Sequence, residues 1–318
     1  MIPPAPLLTR DRLMGGLVGL VVGDALGVPV EFGKRGERDR DPVRGMRGFG
    51  THLQPVGAWS DDGALALAQA AAFIDHGWDP VHHLEAFAAW HERGAWTAHG
   101  WVFDIGLTTR QALKRFRRGE PLERIGGRGV LDNGNGSLMR ILPAACWWAT
   151  SPPEILIAGV GEASALTHGH ARARLSCAWY GLLTVGLLER RPVNEALAWA
   201  SGIMTSVIPP TEIDVFAPLV DGSCLAIQRS EVRSDGYVVS TLTAACWCLH
   251  RHQDFAETVL EAVNLGDDTD TTAAVVGGLA GLRAGLTGIP RAWITCLARS
   301  REVVDLAERF ADVCLARH

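Results

Sequence analysis

Apolar residues recur every three or four positions along most of this chain, the spacing that gives a helix one face for a core. It predicts helices over GALALAQAAAFIDHG (63–77), HLEAFAAWHERG (83–94), TTRQALKRFRRG (108–119), RARLSCAWYGLLTVGLLERR (172–191), VNEALAWASGIM (193–204), STLTAACWCLHRH (240–252) and FAETVLEAVNLG (255–266). Several end in glycine or a basic residue, as helix C-termini do. No series of alternating five-residue strand patterns accompanies them. Gly- and Pro-rich stretches mark loops at 33–52, 126–136 and 208–214. No linker with a composition shift divides the chain and no repeat of fixed period is evident, so the pattern predicts one all-α domain over 1–318.

Two predicted helices depart from ordinary amphipathic sequence. Gly15, Gly19, Gly23 and Gly27 recur every four residues in one, and Gly277, Gly281 and Gly285 in the other. Residues four apart share a helix face, so each helix carries a bare backbone ridge. Each interior glycine costs ~1 kcal/mol against alanine, and close helix–helix packing is the offset to expect.

Both the second of these helices and another begin with acids. Ser60, Asp61 and Asp62 open WSDDGALALAQA, and Asp267, Asp268, Asp270 and Thr271 open LGDDTDTTAAVVGGLAGLRAG. Ser-Asp-Asp before an apolar run also makes an N-cap, and acids suit the positive end of a helix. The two clusters lie about two hundred residues apart. If they meet, four or five carboxylates crowd one place. Two unit charges 4 Å apart repel by about 4 kcal/mol at an effective dielectric of 20, and a cap contributes only ~1 kcal/mol. Bound cations would hold such a cluster. An oxygen-only donor set points to Mg²⁺, Mn²⁺ or Ca²⁺, not zinc, with two ions sharing bridging carboxylates as the sharper form. A third feature, Asn133, Gly134, Asn135, Gly136 and Ser137, reads as a glycine loop opening a helix at about Ser137. Its backbone N–H groups suit phosphate oxygens, although the same residues also make a tight turn, and no GK[ST] follows.

Composition narrows the partners. The chain is 47% hydrophobic and 20% charged with a net charge of −5, which argues against a nucleic-acid footprint. The seven cysteines lie mostly in apolar helical runs without paired CxxC spacing, and read as reduced core residues of a cytoplasmic protein. Arg10 and Arg12 precede LMGGLVGLVVG, but Asp24 interrupts the run, which reads as too short to span a bilayer; no export signal or membrane segment is expected. Oligomeric state has no signature here.

Taken in order, the motifs GLVVGDALGVPVEF, WSDDGALAL, WVFDIGLTTRQAL, NGNGSLMR, ALTHGHARA, GYVVSTLTAA and NLGDDTDTTAAVVGGLAGLRAG resemble those of the ADP-ribosylglycohydrolases, from about Arg12 to Pro290. That group includes the glycohydrolase that reactivates dinitrogenase reductase. The resemblance implies a single compact orthogonal multi-helix domain with a dinuclear metal site at helix N-termini. It implies two divalent cations, Mg²⁺ or Mn²⁺, held by Ser60, Asp61 and Asp62 from one helix and Asp268, Asp270 and Thr271 from the other. The implied reaction is hydrolysis of the bond between ADP-ribosyl C1″ and its acceptor on an ADP-ribosylated protein or a small ADP-ribosyl conjugate. Asn133, Gly134, Asn135, Gly136 and Ser137 would hold substrate phosphates.

Glu31 matches the glutamate of members that cleave O-linked ADP-ribose, and Asp104 the aspartate of arginine-directed members, where it could hold a guanidinium. Both are candidate catalytic carboxylates, with arginine N-linkage favoured slightly over serine O-linkage. His168 either contacts substrate or serves the core, Tyr237 either stacks on the adenine side or packs as a loop aromatic, and Asp24 either orients the ligands from behind or makes a buried hydrogen bond. The chain also departs from the family pattern. Ser60 and Gly63 stand where threonine is usual, and Asp267 where glycine is common, adding charge beside the site. The loops near 33–52, 91–104 and 205–236 are expected to form the substrate rim. The competing expectations are a hydrolase of another ADP-ribosyl or nucleoside conjugate, or a non-catalytic ADP-ribose-binding protein of the same fold.

Overall fold

The two glycine-rich helices, Arg10–Gly27 and Thr269–Ala284, lie against each other in antiparallel fashion. A Cβ built on Gly15 would meet Gly281 O at 2.5 Å, one on Gly19 Gly277 O at 2.5 Å, one on Gly23 Ala273 O at 2.0 Å, and one on Gly27 Asp270 Cα at 2.3 Å. Backbone thus touches backbone along four turns. The ridges are the fold's central joint, in a computed structural model that describes residues 8–317.

The first of these helices is buried from Arg12 to Gly27. With the turn that follows, it is apolar and long enough to cross a membrane, longer than the LMGGLVGLVVG run alone suggests, yet its apolar part is enclosed by the rest of the protein. It is a core helix.

Around this pair the chain forms a single compact all-α domain of fifteen α-helices, with only isolated β-bridges and no strands among the described residues. Each helix read from the periodicity is present to within a few residues. Helices also form at Arg35–Arg40, inside the segment read as a loop, and at Pro153–Ala165, Ile213–Val220 and Ser300–Ala316. The helix expected to open at about Ser137 begins only at Leu142, after a run of turns, because Pro143 at its start favours the first helical turn there. All seven cysteines are free, and all but Cys296 are buried.

The antiparallel pairing has one consequence for chemistry. It brings the C-terminal end of Arg10–Gly27, with Asp24 and the nearby Glu31, to the N-terminal end of Thr269–Ala284, with Asp268 and Asp270. The N-terminus of Asp61–His76 meets both at the same point, through hydrogen bonds from its first residues to Asp24.

Candidate active site

Asp24 is the joint between the helices. It is fully buried, and its carboxylate accepts from Ser60 N–H (2.9 and 3.0 Å to the two oxygens) and from Gly63 N–H (2.7 Å). It therefore satisfies the first amides of Asp61–His76 from another helix, the work an N-cap usually does locally. This closeness bears on Gly63, where the family usually has threonine. A Cβ there would lie 3.0 Å from Asp24 Oδ2 and 3.1 Å from the Trp59 ring, so the ring occupies the room a side chain would need.

The Ser60 hydroxyl donates to Asp62 Oδ2 at 2.8 Å, while Asp62 Oδ1 is buried with no hydrogen-bond partner. At the other helix, Asp268 Oδ2 accepts from Asn135 Nδ2 at 2.8 Å, and Asp270 Oδ1 accepts from the Thr271 amide at 2.9 Å. Carboxylate oxygens of Asp24, Asp62 and Asp270 lie within 4.8 Å of one another, as do those of Glu31, Asp268 and Asp270. The two acidic clusters, distant in sequence, form one group.

Burial pushes Asp61, Asp62 and Asp270 well above the usual carboxylate range, and the neighbouring acids add to it. Asp268 is raised by the same desolvation, and Asp24 is pushed up to about 7 against the opposing pull of its backbone hydrogen bonds. Such a group stays ionised at neutral pH only beside a compensating positive charge. The donors are all oxygen, converge from separate elements and include the orphaned Asp62 oxygen; they fit a hard divalent cation.

Asp267 does not join this group. Its φ of +58° lies in the left-handed region, which accounts for glycine being common there, and its side chain turns outward to Lys34 Nζ at 2.8 Å. The charge expected beside the site is spent on that ion pair.

Glu31 is buried, and its Oε2 meets His52 Nε2 in a short hydrogen bond. Desolvation raises its pKa while the imidazole opposes the rise. Asp104 is half-buried and accepts from the Ile105 amide at 2.8 Å. Glu31, Asp61, Asp104, Asp268 and Thr271 share the wall of one cavity of about 550 Å³. A larger cleft of about 620 Å³, lined by Arg12, Arg190, Arg191 and Arg283, contains none of these acids. We take the smaller one as the site because the chemistry is there.

The glycine loop forms the cavity's opposite wall. Asn135 N–H donates to Gly236 O at 3.1 Å and Val238 N–H to Asn133 O at 3.1 Å, so the loop is zipped to the segment carrying Tyr237. Gly134, Asn135 and Gly136 line the cavity; Asn133 and Tyr237 are not among its lining residues. The Tyr237 hydroxyl accepts from Arg172, which also pairs with Glu212 at 2.7 Å. His168 lines the cavity and lies so close to Gly136 that a Cβ there would be 2.8 Å from the ring. Burial, with the charge of Arg140 assisting, pushes His168 down to about 3, so its ring is neutral.

Ser137, at the end of the glycine loop, is not among the residues lining the cavity. Its side chain is fully buried, accepts from Ser164 Oγ at 2.8 Å and lies 3.6 Å from Cys177 Sγ. Its hydroxyl faces the core, because the turns after Gly136 rotate it away from the cavity. Three contributors were not singled out from sequence. His52 sits on a turn without periodic pattern. Asp132 accepts from Gly129 N–H at 2.8 Å and Thr108 Oγ1 at 3.1 Å and so braces the loop, and Thr108 comes from a helix start. No residue of 205–236 lines the cavity, whose rim comes instead from segments around 104–111 and 131–139.

The sequence profile of the ADP-ribosylglycohydrolases matches residues 5–318. The chain belongs to this family. ADP-ribosylarginine hydrolase Tri1 of Pseudomonas putida (strain GB-1) is 34% identical over 311 residues, covering 96% of this chain and 80% of that protein. The ADP-ribosyl-[dinitrogen reductase] glycohydrolase of Rhodospirillum rubrum is 28% identical, covering 91% and 90%. A solved structure described as an ADP-ribosylglycohydrolase-related protein complex superposes with a TM-score of 0.80 at 32% identity, over 96% of this chain and 98% of that one. This member of the ADP-ribosylglycohydrolase family is therefore a glycohydrolase.

Proposed function

We propose that this chain is a cytoplasmic, metal-dependent hydrolase that releases ADP-ribose from arginine side chains of modified proteins. The observation that carries this reading is the meeting of Asp61 and Asp268 with Glu31 and Asp104 in the wall of one cavity, with Asp270 and Asp62 clustered against them. The arginine preference is supported by the relative named an ADP-ribosylarginine hydrolase and by Asp104, a half-buried carboxylate in the cavity wall suited to a guanidinium. The seven free cysteines accord with a reducing compartment.

Ser60, Asp61, Asp62, Asp268, Asp270 and Thr271 would hold two divalent cations, Mg²⁺ or Mn²⁺. Bound there, the ions supply electrostatic stabilisation and an oriented, more acidic water. The rest falls to side chains. Gly134, Asn135 and Gly136 offer backbone along the wall for the pyrophosphate. Neutral His168 packs beside Gly136 and keeps that wall narrow. Asp104 holds the guanidinium of the acceptor arginine. Glu31 takes a proton from the attacking water, whose oxygen forms a bond to C1″ as the C1″–N bond breaks through an oxocarbenium-like state. The protonated Glu31 returns that proton to the departing arginine nitrogen, which restores the carboxylate. Tyr237, whose hydroxyl accepts from Arg172, would pack on the adenine side.

The test is ADP-ribose release from arginine- and serine-linked peptides with Mg²⁺, with Mn²⁺ and with excess chelator. Release from the arginine peptide that vanishes with chelator is expected. Release from the serine peptide alone overturns the arginine assignment, and release that persists with chelator overturns the metal dependence.

A further inference from the structure

The 49–54 segment sorts its side chains against the usual rule. Phe49 and Leu53 are 66% and 74% exposed, while the imidazole of His52 between them is turned inward and only 13% exposed. Hydrophobic burial would favour the opposite arrangement, so something else selects this conformation.

The segment is tied down around that one ring. Phe49 N–H donates to Gln54 O, Gln54 Nε2 donates to His52 O at 2.9 Å, and Thr51 Oγ1 donates to the backbone carbonyl of Glu31 at 2.8 Å. Gly50, at φ +59°, is pressed so closely onto Pro29 that a Cβ would lie 1.8 Å from its carbonyl oxygen. Ordering a surface turn in this way has an entropic cost that its own contacts must offset. The ring itself lies between Phe32 and Phe103, with centroids 6.0 and 5.3 Å away. Its Nε2 bonds Glu31 Oε2, and a ring nitrogen lies within 4.8 Å of carboxylate oxygens of both Glu31 and Asp104.

We propose that His52 is a positioning residue for the two candidate catalytic carboxylates: its ring donates from Nε2 to Glu31 and sets Glu31 and Asp104 at a fixed separation across the cavity. The proposal rests on the function assigned above. Phe32 and Phe103 touch the ring at tilted angles of 56° and 52°, and the tied turn fixes its height. With one oxygen held by the imidazole, Glu31 has a single orientation from which to meet the water. Without the donor, two neighbouring carboxylates repel and Glu31 samples other rotamers. His52 acts through Glu31 and does not touch the reacting atoms.

Two variants test this on an arginine-linked ADP-ribosyl substrate. His52→Phe keeps a flat ring between the two phenylalanines and removes the donor. His52→Gln restores a donor without the ring. For His52→Phe we expect kcat lower by about 10- to 100-fold, the range for losing the partner that orients a functional side chain, with KM within about twofold. His52→Gln should recover most of the loss, and both should retain the wild-type melting profile. A third readout is independent of turnover. Long-range ¹H–¹⁵N spectra of the imidazole should report a protonated Nε2 in the wild type, and a changed pattern in Glu31→Ala.

An unchanged kcat in His52→Phe, or a His52→Gln as impaired as His52→Phe, overturns the positioning role. Loss of one equivalent of bound Mn²⁺ in His52→Phe overturns it in favour of a metal-ligand role. A wild type that releases no ADP-ribose defeats the proposed function instead, and the imidazole spectra then decide the His52–Glu31 contact alone: an identical pattern in Glu31→Ala overturns it.

Discussion

Replacing Gly27 with alanine should detach the two halves of the site by a small, measurable step. Gly27 has φ −82° and ψ −37°, ordinary helical values that any residue adopts, so its backbone does not demand glycine. What demands it is distance. The new Cβ would lie 2.3 Å from Asp270 Cα and 2.4 Å from Asp270 N, about 1 Å short of the ordinary contact that begins at 3.4 Å. Both obstacles are backbone and cannot rotate aside. The start of Thr269–Ala284 must therefore move by about that amount, carrying Asp268 and Asp270 away from Asp24 and Asp62.

Over-packing of this kind costs about 1–3 kcal/mol, and alanine's better helix propensity returns at most ~1 kcal/mol. The net should lower Tm by a few degrees, since 1 kcal/mol moves a larger domain by roughly 2–4 °C. Activity should suffer far more, because a displacement of about 1 Å at a reacting centre can remove 10²-fold in rate. Gly15→Ala is the control. It clashes with the same partner helix, 2.5 Å from Gly281 O, but at the far end of the pair. Measured side by side by thermal melting, Mn²⁺ titration and ADP-ribose release, the two variants should lose similar stability, while only Gly27→Ala loses metal affinity and turnover. Equal turnover in Gly27→Ala and wild type would refute the view that the glycine ridge exists to bring the acids together.

Three further outcomes follow from the same structure. Asp62→Ala and Asp268→Ala should each abolish metal-dependent turnover, yet melt no lower than wild type in chelator, since each removes a repelling buried charge; added Mn²⁺ should raise Tm in the wild type only. Buried His83, whose ring meets Gly77 O at 3.1 Å and whose pKa is pushed down to about 4 by desolvation, makes stability pH-dependent. The unfolded chain binds that proton more readily, so stability is complete above the unfolded value near 6.5 and is lost as pH falls toward 4, by up to about 3 kcal/mol; urea melts at stepped pH should give a flatter acid limb in His83→Gln than in wild type. Asp267→Gly should leave turnover within about twofold and stability level or slightly higher, because glycine fits the left-handed backbone and the Lys34 pair is exposed; a large change in metal affinity would mean that Asp267 does reach the site.

The helices and the acids were readable because both are local. Three- and four-residue spacing encodes a buried face directly, and the glycines of Arg10–Gly27 kept the same period. Asp61 and Asp270 announced themselves as acids at helix starts with no local need for so many. The inward direction of the Ser137 hydroxyl is not legible in the sequence, because the loop leaves through turns, where spacing no longer predicts direction. His52 was invisible for a different reason. Its role depends on Gly50 seating against Pro29 and on Glu31 lying beneath the turn, and neither contact leaves a mark on the residues flanking the histidine. Asp24 was noticed as a buried acid, but that it reaches across to the amides of Ser60 and Gly63 is a tertiary fact. The cost of an unexpected charge at Asp267 could not be read without knowing that its backbone turns left-handed and its carboxylate faces Lys34.

The antiparallel glycine pair also governs when the enzyme comes into being. The hydrogen bond from Thr269 Oγ1 to Gly27 O closes a loop of 242 residues. Contacts of such long sequence separation form late, because so much chain must first be ordered between them. A chain emerging from the ribosome therefore carries Asp24 and Ser60–Asp62 for most of its synthesis with nothing to complete them. Until Thr269–Ala284 is released and docks, the Arg10–Gly27 helix lacks the partner that covers its glycine ridge. Cation binding at the proposed site would thus be deferred to the last stage of folding, and a bound ion would act as a seal on a finished molecule, absent from every partial product that precedes it.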